Sequence, residues 1–86
     1  MPIRVMLVDD DPMVRTGLRF LLESATDLEV VAEAGDGEEA IAAARATTVD
    51  VILMDLRMPR LDGIAATRRI REQANPPHVI ALTTWD

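Results

Sequence analysis

The 86-residue sequence predicts an α/β fold, a doubly wound parallel sheet, on three observations. Short aliphatic runs alternate with stretches of helical apolar spacing, in the order β-α-β-α-β-α-β. The runs Ile3–Val8 and Val49–Met54 are apolar almost throughout, the pattern of strands covered on both faces. Aspartates stand where these two runs stop: Asp9, Asp10 and Asp11 after the first, and Asp55 after the third strand.

Each element has its own signal. Asp11-Pro12 places an N-cap before a proline at the first helical position. Val14, Leu18, Leu21, Leu22 and Ala25 then recur as one helical stripe to about Ser24, and Thr26-Asp27 breaks it. Leu28 to Ala34 holds a second, more polar strand, expected at an edge. Gly35-Asp36-Gly37 turns the chain, and Asp36 with Glu39 has the spacing of a capping box for an alanine-rich helix from Glu38 to about Ala46. The third strand is expected to be central. A third helix opens at Asp62-Gly63 and runs to about Gln73, where Asn75-Pro76-Pro77 stops it. Val79 to Leu82 is the fourth strand. Right-handed crossovers then put helices on both faces of the sheet.

Composition narrows the function. Hydrophobic residues make up 49% and charged residues 28%, the balance of an ordinary globular domain. The net charge of −6 opposes an electrostatic grip on nucleic acid or an acidic membrane. Trp85 and Phe20 are the only aromatics, too few for a base-stacking platform. The absence of cysteine excludes disulfides and thiolate chemistry. No apolar run approaches the roughly 20 residues that span a bilayer, and no leader-type segment precedes the first strand, so the cytoplasm is the expected location.

In a parallel sheet, ligand groups gather beyond the carboxyl ends of the strands. Asp9 and Asp10 leave the first strand there, Asp55 the third and Thr83 the fourth. Carboxylates held together repel one another, and each resists ionisation unless a positive charge intervenes. A hard divalent cation with oxygen ligands answers that repulsion, and Mg²⁺ suits it because it is commonly held by one or two carboxylates plus phosphate. With such an ion, Asp55 is a candidate nucleophile toward phosphorus and Thr83 a hydroxyl donor to a phosphoryl oxygen. Taken singly, these residues also have ordinary readings: Asp11 as a helix cap, Asp55 as the start of a turn, Thr83 as a β-branched strand residue. Acids at the ends of two separate strands are far less often accidental.

Leu7-Val8-Asp9-Asp10-Asp11-Pro12-Met13-Val14-Arg15, Met54-Asp55-Leu56-Arg57-Met58-Pro59-Arg60-Leu61-Asp62-Gly63 and Ala81-Leu82-Thr83-Thr84 resemble the receiver domain of two-component response regulators. Asp11 to Gly17 is similar to the branch whose receivers precede a C-terminal helix-turn-helix DNA-binding domain. The resemblance implies a flavodoxin-like receiver fold with strand order 2-1-3-4, and residues 1–86 forming a partial receiver domain that lacks a fifth strand and the last two helices. It implies Asp55 as phosphoacceptor, Asp10 as direct ligand to Mg²⁺ or Mn²⁺, and Asp9 as the acid reaching the metal through water. By the same resemblance the backbone carbonyl of Arg57 would complete the protein ligands, Thr83 would be the switch hydroxyl, Thr84 would offer a backbone amide to the phosphoryl group, and Pro59 and Gly63 would shape the loop after Asp55. The donor it implies is a histidine on a partner sensor kinase, so His78 is expected to be a surface residue at a strand start.

The family also implies a lysine at the end of a fifth strand, and this chain contains none, since all nine of its basic residues are arginine. Phosphoryl acceptance by these residues alone is therefore expected to be impaired. DNA contact is expected only through a domain outside the chain, and a homodimer through the sheet edge left by the fourth strand. Two other readings compete with this one. Phosphohydrolases with an aspartate nucleophile carry a second acid two residues on, where this chain has Arg57, so turnover on external substrates is not expected. A phosphorylation-independent interaction module is the alternative, and all three acids being present counts against it.

Overall fold

The computed structural model describes residues 2–56 and 62–82. Strands β1 (Ile3–Val8), β2 (Leu28–Ala34), β3 (Val51–Asp55) and β4 (His78–Leu82) alternate with helices α1 (Pro12–Glu23), α2 (Gly37–Ala46) and α3 (Gly63–Arg71). The strands form one parallel sheet in the order β2-β1-β3-β4. The expected doubly wound architecture and strand order are both present, with β2 at one edge and β3 inside.

The alternation of β1 divides the core in two. Met6 and Val8 face a layer with Ala40 and Ile41 of α2, Ile52 and Met54 of β3, and Ala66 and Ile70 of α3. Val5 and Leu7 face the other way, where they meet Val30 of β2 and, less deeply, Leu18 and Leu22 of α1. Two helices thus cover one face and a single helix the other. The consequence shows in α1. Leu18 and Leu22 pack as expected, while Val14 is 41% exposed and Leu21 67% exposed, so among the described residues only part of the predicted apolar stripe is covered. The same face leaves Ile80 of β4, paired in register with Leu53, half exposed.

One irregularity sets the register at the β2 edge. Val5 pairs with Val30, but Met6 pairs with Ala32, so Val31 is an extra residue. Val31 and Ala32 consequently both pack on the α2/α3 layer, and Glu33 pairs with Leu7 on the α1 side.

Helix starts follow their sequence signals. Asp11 accepts from the Met13 N–H, Asp36 from the Glu39 N–H and Asp62 from the Ala65 N–H, each at 2.9 Å. Glu39 returns a bond at 2.8 Å to the Gly35 N–H, one residue before the cap, so the α2 box is a shifted one. Arg68, Arg69 and Arg71 in the last turn of α3 suit the negative end of its dipole. Asn75 then takes a left-handed φ of 53°, which asparagine tolerates, before the two prolines lead into β4.

Some boundaries differ from expectation. β3 starts at Val51 rather than Val49, because Asp50 turns its carboxylate onto the Arg4 N–H at 2.9 Å instead of continuing the apolar run. Val49 still packs in the core. α2 begins at Gly37, α3 ends at Arg71, and β4 begins at His78, which is exposed as expected. Among the described residues, no helix is long and apolar enough to cross a membrane.

Gly17 lies inside α1 with nothing within 4 Å of where a Cβ would stand. Gly17→Ala should raise stability in urea denaturation by about 0.5–1 kcal/mol, since it removes unfolded-state freedom and meets no obstacle.

Candidate functional site

The sheet order brings the acids together. β1 and β3 are adjacent and parallel, with Val8 paired to Met54, so Asp9 and Asp55 emerge side by side at their carboxyl ends. β1 connects through α1 to β2 on one side, and β3 lies on the other, which is the strand-order reversal where such folds open a crevice. Asp9, Asp10 and Asp55 each offer a carboxylate oxygen, and these oxygens lie within 4.8 Å of one another. Asp9 and Asp55 are only 6% and 5% exposed, whereas Asp10 is exposed.

Burial pushes the Asp9 carboxyl above the ordinary carboxylate range, and the neighbouring charges of Asp55, Asp10 and Asp11 push it further. A bond of 2.9 Å from the Asp11 N–H to Asp9 Oδ1 opposes the rise. Asp11, the α1 cap, is thus tied to the cluster through its backbone. A close set of hard oxygen donors, one of them hindered in ionising, fits a divalent cation such as Mg²⁺ better than a softer metal.

The main chain around Asp55 is held closely. Gly63 N–H donates to the Leu56 carbonyl at 3.3 Å, and Leu56 N–H to Leu82 at 3.4 Å. A Cβ on Gly63 would run into the Asp55 carbonyl oxygen and stand 2.6 Å from Leu56 Cα. Glycine is therefore required there by contact, not by φ, which is not positive. Asp55 pairs with Leu82, the last described residue of β4. Of the other expected site residues, Arg57, Pro59, Thr83 and Thr84 lie outside the described residues.

The structure adds neighbours that the sequence did not single out. Arg15 Nη1 donates to the Asp9 carbonyl at 2.5 Å, and its Nε donates to Glu33 at 3.1 Å. Arg19 donates to the second Glu33 oxygen at 2.6 Å. Glu33 lies 18 residues from Arg15 and 14 from Arg19, so no spacing rule joins it to them.

The family model of the response regulator receiver domain matches residues 5–86. The chain belongs to the response-regulator receiver family. This receiver is 48% identical over 84 residues to the uncharacterized transcriptional regulatory protein YxjL of Bacillus subtilis (strain 168), a match covering 98% of the chain and 38% of the relative. It is equally 48% identical over 84 residues to a protein-glutamate methylesterase/protein-glutamine glutaminase of Nitrosospira multiformis, covering 98% of the chain and 24% of that protein. Among solved structures, a two-component response regulator of the LuxR family from Aurantimonas sp. SI85-9A1 superposes with a TM-score of 0.92 at 43% identity, covering 100% of the receiver chain and 61% of the other. The receiver thus spans well under half of either curated relative.

Two substitutions test this geometry. Asp9→Asn keeps an oxygen for the Asp11 N–H and removes one of the clustered charges. It should raise the thermal midpoint measured in chelator at neutral pH, with the gain fading as pH falls through the raised Asp9 ionisation, below which Asp9 is itself neutral. Gly63→Ala should lower stability by about 1–3 kcal/mol in urea titration, because both obstructing groups are main chain.

Proposed function

We propose that this receiver accepts a phosphoryl group on Asp55 from a phosphohistidine of a sensor histidine kinase, in the cytoplasm. The observation that supports it is the meeting of Asp9, Asp10 and Asp55 oxygens within 4.8 Å at the switch point of the sheet. Mg²⁺ or Mn²⁺ would be held by Asp10 and Asp55, by Asp9 through water, and by the Arg57 backbone carbonyl. The chemistry a bound cation supplies is screening between the carboxylate and the incoming phosphoryl oxygens.

An Asp55 carboxylate oxygen attacks phosphorus, forming an acyl phosphate as the P–N bond to the donor imidazole breaks. The phosphorylated nitrogen leaves with the bonding pair, and because the other ring nitrogen of the donor already carries a proton the departing group is a neutral imidazole that needs none from the receiver. Burial of Asp55 keeps bulk water from competing at the reacting oxygen. The Thr83 hydroxyl then donates to a phosphoryl oxygen, and the Thr84 N–H faces it. That contact exists only in the modified state and so reports it. Each transfer modifies the chain itself, so the chain is not a turnover catalyst on external substrates. Similarity to a transcriptional regulatory protein supports a DNA-binding output in a separate domain, and the net charge of −6 is consistent with no DNA contact by these residues.

A second reading is an interaction module that works without phosphorylation, through a homodimer across β4.

Incubation with acetyl phosphate and Mg²⁺, followed by intact-mass measurement, separates the readings. A chain extended to the length of solved receiver domains should gain one phosphoryl adduct, and Asp55→Asn should abolish it. The 86-residue chain, which has no lysine, should gain much less. An adduct that survives Asp55→Asn, or none on any folded form, would count against the proposal and leave the interaction module standing.

A further inference from the structure

We infer that Arg15 is a positioning residue for the acidic cluster: its guanidinium fixes the peptide joining Asp9 to Asp10 and thereby sets how tightly the cluster binds a divalent cation. This rests on the proposed cation-assisted phosphoacceptor role of Asp9, Asp10 and Asp55.

An arginine beside a glutamate on a helix is ordinarily a solvated ion pair of little consequence. Arg15 differs in three respects. Its side chain is only 19% exposed, and one of its donors, at 2.5 Å, reaches the Asp9 carbonyl rather than a carboxylate. Its other partner is immobilised: Glu33 receives Arg15 on one oxygen at 3.1 Å and Arg19 on the other at 2.6 Å, so the guanidinium is anchored from behind. Room has also been left for it. A Cβ on Gly35 would stand 3.3 Å from Arg15 Nη1, and Gly35 has no positive φ that would otherwise call for glycine.

The result is that Asp9 is tied at three points. Its N–H donates to the Ala34 carbonyl at 3.1 Å, its Oδ1 accepts from Asp11 at 2.9 Å, and its carbonyl accepts from Arg15. The carbonyl belongs to the peptide plane from which Asp10 continues. Holding that plane fixes the start of the Asp10 ligand before any cation arrives, so less ordering remains to oppose binding.

Positioning and simple electrostatics predict opposite signs. A guanidinium near a cation site repels the cation, so its removal would tighten binding if charge alone mattered. A positioning role predicts weaker binding. The test is Mg²⁺ titration of the whole chain by calorimetry, on folded protein verified by circular dichroism. Arg15→Met should raise the Mg²⁺ Kd roughly tenfold, the lower end of the usual loss for groups that orient ligands. Arg15→Lys, able to keep one partner, should fall between. Gly35→Ala, which crowds the guanidinium from the other side, should move the Kd in the same direction, so the test survives if Arg15→Met does not fold. Leu22→Ala, which loosens α1 without touching Asp9, should lower the urea midpoint and leave the Kd unchanged. An unchanged or lower Kd in the Arg15 variants, or an equal rise in Leu22→Ala, would overturn the inference. A wild-type chain that is folded yet binds no Mg²⁺ would instead overturn the functional proposal beneath it.

Discussion

Three carboxylates meeting at the ends of two adjacent strands, two of them nearly buried, form the constraint around which this receiver is arranged. Their mutual repulsion has to be met by something other than bulk water, since water scarcely reaches Asp9 or Asp55. The surrounding chain meets it with two donors, the Asp11 N–H on the Asp9 carboxylate and the Arg15 guanidinium on the Asp9 carbonyl, while the Asp11 carboxylate accepts from the Met13 N–H and so fixes the short connection into α1. None of these neutralises the cluster. They hold it in a shape that fits a small, hard cation.

Most of the architecture was legible because parallel sheets have a direct sequence signature. Val5–Val8 has no polar face to show, and neighbouring helices bury it on both sides in the structure. The caps at Asp11, Asp36 and Asp62 were legible for a similar reason, since each depends on residues within three positions. Asp9, Asp10 and Asp55 could be brought together on paper because topology alone aligns the ends of strands. What escaped was whatever depends on register or on long-range side-chain contact. The true start of β3 depends on Asp50 finding Arg4, and the extra residue in β2 depends on how it lies against β1. Arg15 reads as one more polar helix position until the fold places Asp9 and Glu33 on either side of it.

The two faces of the sheet are unequally finished. The α2/α3 side contains nearly all of the fully buried large side chains, including Met6, Ile52, Met54 and Ile70. On the α1 side a single helix spans β1 and β2, while Leu21, Val14 and Ile80 remain in contact with water. Among the described residues, α1 contributes no buried side chain, whereas α2 contributes Ala40 and Ile41 and α3 Ala66 and Ile70. Yet α1 also provides Arg15 and Arg19, so the polar bonds to Glu33 and Asp9 do part of the docking that hydrophobic burial does elsewhere.

The extra residue at Val31 gives that docking its partner. Side chains alternate along a strand, so a regular pairing continued from Val5–Val30 would set Glu33 opposite Val8 and turn its carboxylate into the apolar layer under α2 and α3. The bulge reverses the parity of the strand beyond Val31 and delivers the carboxylate to the opposite face, where two arginines wait. The arrangement therefore depends on Val31 being set aside: were the same strand to pair with β1 without the bulge, the Glu33 carboxylate would lie among apolar side chains and Arg15 would lose its acid. The register of β2, and not only the presence of an acid on it, thus decides which face of the sheet can hold a basic helix.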